Sequence, residues 1–384
     1  MSKLIPLYEP FFLKKDKKVI SKCIDDNWVS TSGPLIKKFE KSICKKLSCK
    51  YSVACSSGTA ALHLSLLGLG VKKKEIVLVS NMTFIAAVNA ITYVGAEPIF
   101  FDCDKNTWQI DTNLIKSFLE KESYIKNNKC YYKKTNQKIA AILPVHILGH
   151  SIQINEIISL GNKYKIPIIE DAAESFGSKF KKKSLGTFGK IGCFSFNGNK
   201  IITTGSGGII VTNKKNLAEK IKHLSEQAKS NDYDYTHDKV GFNYRMNNLS
   251  AALGLTQLEK IDFFLKKKKK IAETYINGFR KNKQIKLIQT VKLSESNWWL
   301  FTIFINHKKI NAKHLHKKLL ENGIQTRRIW QPMNLSKPYK HCRMIGNNYS
   351  LKLYKNALSL PSSVNLKFED QKKIIYLINK FLEV

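Results

Sequence analysis

The sequence of 384 residues is short of acidic side chains. It contains 29 Asp and Glu against 65 Lys and Arg, which gives a formal net charge of +36 at pH 7. The lysines occur in runs within an Asn- and Ile-rich chain, a composition typical of AT-biased codon usage. A nucleic-acid surface would need basic residues interleaved with aromatics, or a recognition motif, and neither is evident. We therefore expect no nucleic-acid partner, although the positive field favours the approach of an anionic substrate.

Long apolar runs and paired cysteines are also missing. No stretch approaches the roughly 20 uninterrupted apolar residues of a membrane span. The apolar run in the amino-terminal MSKLIPLYEPFF is too short for a signal peptide. We expect a cytoplasmic protein without a membrane partner. The eight cysteines include no CxxC pair and no His-Cys cluster with zinc spacing, so the sequence predicts free thiols and no metal site.

The patterning of the chain predicts an α/β fold with two domains. Apolar strand-like runs alternate with helical segments up to about residue 170, which indicates a mainly parallel, doubly wound sheet. Lys121 to Asn136 interrupts this rhythm and is expected to be a surface loop. A long helix from Met246 to about Arg280 is expected to link a large domain, residues 1–250, to a small carboxyl-terminal α/β domain, residues 251–384.

Two strand-like runs in the middle of the chain carry the most informative residues. The run 166–169 ends just before Asp171, at the carboxyl end of a strand, where α/β sheets place their ligands. The run 192–196 contains Ser195 and is followed by Lys200 in a glycine-rich stretch. Each residue alone has an ordinary explanation, since most lysines are surface residues and Asp171 can be a helix N-cap. Together they match pyridoxal phosphate, which needs a lysine for a Schiff base, a carboxylate for its pyridine nitrogen and donors for its phosphate.

An earlier segment offers further phosphate donors. In CSSGTAALHLSLLGLG, small residues precede an apolar helix, whose first backbone N–H groups lack partners within the helix and can bind an anion. The alternative is an ordinary serine N-cap. In combination with the later motifs, Gly58, Thr59 and Ala60 become candidate phosphate ligands.

These motifs together resemble the DegT/DnrJ/EryC1/StrS family of sugar-nucleotide aminotransferases. SSGTAALHLSL, EDAAESFGS, SFNGNK, GGIIVTN and GFNYRMNNLSAALGLTQLEKID follow the order of the family over nearly the whole chain. The resemblance implies the aspartate aminotransferase-like fold type I of pyridoxal-phosphate-dependent transferases. It also implies that Lys200 and Asp171 are catalytic and hold the cofactor, and that Ser195 binds its phosphate.

The same resemblance assigns the remaining site residues. It implies that Phe84 stacks on the cofactor ring, and that Asn243, behind a loop that crosses to the neighbouring subunit, binds the partner's cofactor phosphate in a homodimer with shared active sites. Glu174 stands where many members have a glutamine that donates to the phenolic oxygen of the cofactor. An ionised glutamate cannot donate, so the role of Glu174 is open. Candidate substrate contacts, each with a solvated or packing role as the alternative, are Asn199, Arg245, Arg327 and Trp330.

The expected reaction follows from this resemblance. It is the transfer of an amino group from L-glutamate to the C4 keto group of a nucleotide-linked 4-keto-6-deoxy sugar in bacterial surface glycan biosynthesis. FSFNGNKIITTG and QTRRIWQP are most similar to enzymes acting on UDP sugars towards legionaminic acid or bacillosamine, and perosamine synthases, which use a GDP sugar, are close in pattern. Amination at C3 remains an alternative. A related sugar dehydratase is disfavoured because those relatives have histidine in place of Lys200, and a basic nucleic-acid-binding or regulatory protein is the alternative of a different class.

Overall fold

The computed structural model describes residues 4–231 and 233–382. Within these residues the α-helices are α1 (Lys14–Asp25), α2 (Pro34–Leu47), α3 (Gly58–Leu69), α4 (Ala86–Tyr93), α5 (Thr112–Glu122), α6 (Ile154–Tyr164), α7 (Lys215–Ser225), α8 (Asn248–Glu259), α9 (Ile261–Phe279), α10 (Ala312–Glu321), α11 (Tyr349–Asn356) and α12 (Phe368–Leu382). The strands are β1 (Tyr51–Cys55), β2 (Ile76–Ser80), β3 (Glu97–Phe101), β4 (Ser123–Lys126), β5 (Lys129–Tyr132), β6 (Ile139–Leu143), β7 (Ile169–Asp171), β8 (Lys179–Phe180), β9 (Lys183–Ser184), β10 (Ile191–Ser195), β11 (Gly208–Thr212), β12 (Lys229–Asn231), β13 (Thr236–His237), β14 (Ile285–Leu287), β15 (Ser294–Glu295), β16 (Thr302–Ile305), β17 (Arg327–Arg328), β18 (Met344–Ile345) and β19 (Ala357–Ser359).

A mostly parallel sheet forms the central layer. Its strands pair in the orders β1-β11-β10-β7 and β18-β3-β2-β6. Parallel bridges from Ile142 to Ile168 and from Val145 to Asp171 connect β6 with β7. Strand β11 runs antiparallel to both of its neighbours, β1 and β10. This layer confirms the predicted fold class.

Apolar strands and helices on the sheet explain why this layer is stable. Every residue of β2 and β6 is buried, as expected for parallel strands that are covered on both faces. Helix α3, which is apolar on all sides, packs against β10 and β11 and has a buried run from Ala60 to Leu66. No helix within the two described ranges is long and apolar enough to cross a membrane.

A second, antiparallel sheet lies in the carboxyl-terminal part, with the order β14-β16-β19-β17. It shares a separate apolar core with α9, α10 and α12, whose members include Tyr275, Ile303, Leu315 and Ile374. However, β18 from the same part of the chain pairs with β3 in the central sheet. The division of the chain at residue 250 therefore stays a prediction.

Two segments differ from their sequence-based predictions. The expected loop at Lys121 to Asn136 contains a β-hairpin, β4–β5, whose turn residues Asn127 and Asn128 have φ values of 49° and 58°. Asparagine tolerates this left-handed conformation, which two-residue hairpin turns require. The expected single helix after Met246 is divided into α8 and α9 at Lys260, where ψ is 0°.

Candidate active site

A cavity of about 340 Å³ lies at the carboxyl ends of β7 and β10. This is the position at which open α/β sheets bind their ligands. The structure brings ten of the predicted residues to its wall, namely Gly58, Thr59, Phe84, Asp171, Glu174, Ser195, Asn199, Lys200, Arg327 and Trp330.

The amine of Lys200 is confined within this cavity. Its Nζ lies 3.5 Å from Glu174 Oε1 and 4.1 Å from the centroid of the Trp299 ring, and the side chain is 14% exposed. The backbone next to it is held as well, because Tyr8 Oη donates to the Lys200 carbonyl at 2.7 Å. The amine is thus held by groups that are distant in sequence, while it remains part of the cavity wall.

Asp171 ends β7 as a buried carboxylate. Its N–H donates to Pro144 O at 3.0 Å and its carbonyl accepts the N–H of His146 at 3.0 Å, which fixes the backbone. Its Oδ1 accepts the N–H of Ala173 at 3.0 Å. Burial raises the pKa of the Asp171 carboxyl, against the lowering effects of the Ala173 bond and of the Lys200 charge. A desolvated carboxylate of this kind is stabilised by a cationic N–H partner.

The neighbouring Glu170 has a structural role. Side chains alternate along a strand, so Glu170 lies on the face opposite to Asp171. Its carboxylate accepts backbone N–H groups of the turn 186–189 at 2.6 to 2.8 Å. His146 Nε2 lies 3.0 Å from Glu170 Oε2, while Nδ1 accepts the N–H of Ile152 at 3.4 Å. The histidine proton is therefore assigned to Nε2, and this buried pair supports β7 from behind the site.

Glu174 lies between the amine of Lys200 and the backbone of a short 3₁₀ turn. Its Oε2 accepts the N–H of Leu148 at 2.8 Å, and its backbone carbonyl accepts from Asn297 Nδ2 at 2.8 Å. Burial raises the pKa of Glu174 to about 7, although the positive charge of Lys200 acts in the opposite direction. The carboxyl of Glu174 therefore exists in both protonation states near neutral pH.

The start of α3 forms a cradle next to Ser195. A Cβ added to Gly58 would lie 2.8 Å from the Cβ of Ser195, so glycine permits this close approach. Gly58 and Thr59, which line the cavity, are the first residues of the helix, where N–H groups lack intrahelical partners. The N–H of Ala60 instead donates to Ser57 Oγ at 3.0 Å, and Ala60 does not line the cavity.

Two predicted site residues lie away from this cavity in their own chain. Asn243 is exposed, and its backbone pairs with Glu226. Arg245 lines a separate pocket of about 490 Å³ together with Trp28 and Glu40. Its Nε is buried and has no hydrogen-bond partner among the described residues.

The donor set of the cavity fits pyridoxal phosphate. It combines a confined amine, a buried carboxylate at a strand end and a cradle of backbone and hydroxyl donors. Over residues 4–231 and 233–382, no group of three or more His, Cys, Asp or Glu is placed to hold a metal ion. The fold and this donor set are those of a fold type I pyridoxal-phosphate-dependent enzyme.

Comparisons with known proteins identify the family. Residues 12–379 match the model of the DegT/DnrJ/EryC1/StrS aminotransferase family, and the chain belongs to this family. It is 37% identical over 382 residues to the GDP-perosamine synthase of Escherichia coli O157:H7, with 99% of each chain covered. It is 32% identical over 376 residues to the UDP-4-amino-4,6-dideoxy-N-acetyl-beta-L-altrosamine transaminase of Campylobacter jejuni (strain 81-176), covering 96% of this chain and 95% of that protein.

A solved structure agrees with these matches. Helicobacter pylori PseC, an aminotransferase involved in the biosynthesis of pseudoaminic acid, superposes with a TM-score of 0.88 at 25% identity and with 99% of each chain covered. The chain is a pyridoxal-phosphate-dependent sugar aminotransferase of glycan biosynthesis. The enzyme class, the fold and the cofactor predicted from the sequence are thereby confirmed.

Sequence reasoning did not assign several residues that shape the site. Ser57, Thr83 and Ser206 also line the cavity, and Tyr8 supports the Lys200 backbone. The ring of Trp299 lies against the amine of Lys200. Local spacing contains no signal for such contacts, because the partners are far apart in the chain.

Proposed function

We propose that the enzyme transfers an amino group from L-glutamate to the C4 keto group of a 4-keto-6-deoxy sugar linked to a nucleoside diphosphate. The observation that carries this proposal is the convergence of Lys200, Asp171 and Glu174 in one cavity next to an anion cradle. When bound, pyridoxal phosphate supplies an aldehyde that takes up the amino group and a ring that withdraws electrons. The roles of the residues follow from their positions.

Lys200 binds the cofactor and then moves a proton. Its amine lies inside the cavity and is held by contacts with Glu174 and Trp299, so it has little freedom to leave the reacting atoms. A general base acts efficiently when it is held within hydrogen-bond reach of the proton it takes. In this proposal, Lys200 Nζ takes the proton from the α-carbon of glutamate and returns a proton to the sugar carbon in the second half-reaction.

The other residues orient the cofactor. Asp171 pairs with the protonated pyridine nitrogen, and Gly58, Thr59 and Ser195 bind the phosphate through backbone N–H and hydroxyl groups. Phe84, an aromatic side chain that is 57% exposed yet belongs to the cavity wall, covers one face of the ring.

The outer wall of the cavity offers contacts to the nucleotide sugar. Arg327 is an exposed cation at this wall, which suits a diphosphate. The rings of Trp330 and Trp299 are nearly parallel, with an angle of 6° between their planes and 6.4 Å between their centroids. The Oδ1 of Asn199 is buried and lacks a hydrogen-bond partner among the described residues. Sequence patterns favour UDP, whereas the similarity to a GDP-perosamine synthase favours GDP. The experiment below therefore offers the enzyme both a GDP-linked and a UDP-linked sugar.

We also propose that the active enzyme is a homodimer with shared sites. Asn243 lies outside the cavity of its own chain, which agrees with a role at the partner's cofactor phosphate. Exposed apolar side chains occur nearby in sequence, with Tyr233 and Val240 exposed to 92% and 86%. In this proposal the partner chain covers these side chains.

The proposed function is tested with Lys200→Ala and a matched surface variant, Lys190→Ala. Each protein is loaded with pyridoxal phosphate and incubated with L-glutamate and either a GDP-linked or a UDP-linked 4-keto-6-deoxy sugar. Amino sugar and 2-oxoglutarate are measured by mass spectrometry. We expect product from wild type and Lys190→Ala with one nucleotide, and a loss of at least about 1,000-fold for Lys200→Ala. Appreciable turnover by Lys200→Ala would contradict the role assigned to Lys200. A lack of product with both nucleotides would contradict the proposed substrate.

A further inference from the structure

Two cysteines outside the active site lie at the carboxyl-terminal end of α2. Cys44 is in the last turn of this helix, and Cys49 follows its end. Both thiols are free and partly exposed. Cys23, Cys55, Cys103, Cys130 and Cys193 are buried.

The backbone at the end of α2 brings the two cysteines together. Ser48 adopts the left-handed conformation, with φ 55° and ψ 43°, and the N–H of Cys49 donates to the carbonyl of Cys44 at 3.1 Å. The N–H of Ser48 donates to the same carbonyl. The six-to-one hydrogen bond is the one that a Schellman motif also forms, and side chains at these two positions are commonly in contact. An apolar pair usually occupies them, whereas here both positions carry a thiol.

The two thiols differ in acidity. The hydrogen bond from Cys49 lowers the pKa of Cys44 to about 6, while burial and the negative charge of Glu40 oppose this shift. The same pairing raises the pKa of Cys49. Of the two thiols, Cys44 is therefore the one that ionises more readily and Cys49 the one that keeps its proton, an arrangement found in reactive dithiols.

We propose that Cys44 and Cys49 are a redox modification site, which forms a reversible disulfide by exchange with a low-molecular-weight disulfide such as oxidised glutathione. The site is independent of the transamination chemistry. Both thiols belong to one chain, and neither lines the cavity of the active site.

The exchange proceeds in two balanced steps. The Cys44 thiolate attacks one sulfur of glutathione disulfide, the bond between the two glutathione sulfurs breaks, and one glutathione leaves as a thiolate that takes a proton. Cys49 then loses its proton and attacks the Cys44 sulfur, which releases the second glutathione. Two protein thiols are oxidised and one glutathione disulfide is reduced to two thiols. Excess reduced glutathione reverses both steps.

Cys342 provides a matched control within the chain. It is also a partly exposed thiol, and its Sγ lies 3.5 Å from His341 Nε2. No second cysteine is bonded to it among the described residues. Cys342 can form a mixed disulfide with glutathione, but it has no neighbouring thiol that could displace the glutathione.

The experiment uses the cofactor-loaded enzyme, reduced and then exposed to oxidised glutathione. Samples are quenched with an alkylating reagent and digested with trypsin, which separates peptide 42–45 from peptide 47–50. Mass spectrometry should find these peptides joined by a disulfide in wild type and in Cys342→Ser. Cys49→Ser should accumulate the glutathione adduct at Cys44. Cys44→Ser should react at Cys49 at least about tenfold more slowly than wild type reacts at Cys44.

Two results would overturn the proposal. One is a glutathione adduct at Cys44 that persists in wild type as long as in Cys49→Ser, because the second thiol would then not resolve it. The other is reaction at Cys44 that is no faster than reaction at Cys342. Circular dichroism of each serine variant confirms that the comparison is made on folded protein, and the wild-type comparison of Cys44 with Cys342 needs no substitution.

Discussion

The indole ring of Trp299 covers the amine of Lys200. The Lys200 Nζ lies 4.1 Å from the ring centroid, and the indole Nε1 donates to the carbonyl of Asn199 at 2.6 Å. One side chain thus contacts both the amine and the backbone just before it. Because a cation over an aromatic face is attracted by the ring quadrupole, Trp299 favours one position of the amine.

Replacement of Trp299 by leucine should slow the reaction. The lost interaction is worth about 0.5 to 2 kcal/mol, which corresponds to a fall in kcat of about 2- to 30-fold. Trp299→Phe keeps a ring over Lys200 and should retain more of the rate. The measurement is the single-turnover rate of the glutamate half-reaction, followed by the absorbance of the cofactor. Trp298→Phe, which changes a neighbour outside the cavity, is the control, and equal rates for all three variants would exclude a positioning role.

A methyl group at Gly58 should close the phosphate cradle. The added Cβ would lie 2.8 Å from the Cβ of Ser195, which is paired with Gly208 in the central sheet. We expect Gly58→Ala to weaken the binding of pyridoxal phosphate by at least about tenfold, since a loss of 1.4 kcal/mol is sufficient. Titration of the apoenzyme with the cofactor measures this.

A second glycine serves as the control for this experiment. Gly198 lies in the same glycine-rich stretch, yet a Cβ added there would have nothing within 4 Å. Gly198→Ala should therefore bind the cofactor as wild type does. Equal weakening by both substitutions would indicate a general loss of loop freedom instead of a filled cradle.

The buried carboxyl of Glu174 should make stability depend on pH. Its pKa is raised from 4.5 to about 7 in the folded protein. Below about pH 4.5 both states carry the proton and burial has no ionisation cost. As pH rises towards 7 the folded state holds the proton more tightly than the unfolded state, so the stability from this group is lost, by a few kcal/mol in order of magnitude.

Glu174→Gln isolates this effect, because the amide does not titrate and Asp171, whose pKa is also raised, is kept. The free energy of unfolding of the two apoproteins is measured by denaturant titration between pH 4.5 and 8. Wild type should lose stability relative to the variant as pH rises through this window, with no further change above it. A difference that is independent of pH would disprove the assigned ionisation.

The sequence was sufficient for the parts of the site that local motifs encode. Asp171 at a strand end and Lys200 in a glycine-rich stretch are each recognisable from a few neighbouring residues, and both line the cavity. The contacts of Lys200 with Tyr8 and Trp299 were not predictable, because they join segments about 190 and 100 residues away, and packing alone decides which aromatic ring arrives there.

In the fold, too, local patterns were predictable from the sequence, whereas pairings between distant segments were not. Buried apolar runs such as β2 and β6 identify a parallel sheet by themselves. The β4–β5 hairpin was missed because its turn depends on two asparagines, Asn127 and Asn128, in left-handed conformations within a polar segment. The pairing of β18 with β3 joins residues more than two hundred positions apart, and no periodicity in either segment predicts it.

Asn243 provides the test of a shared active site. If it acts at the partner's cofactor, a mixed dimer of Lys200→Ala and Asn243→Ala contains one site with both substitutions and one site with neither. Random mixing of equal amounts should then restore about a quarter of the wild-type activity, because half of the dimers are mixed and each has one intact site. The measurement is the transamination rate after the two inactivated proteins are unfolded and refolded together.

The matched control mixes Lys200→Ala with Asp171→Asn. These two residues line the same cavity of one chain, so each chain of the mixed dimer has a defective site and no activity should return. If Asn243 instead acted within its own chain, its mixture with Lys200→Ala would behave like this control. Restoration in the first mixture and its absence in the second therefore require a site built from two chains, with Asn243 crossing to the partner.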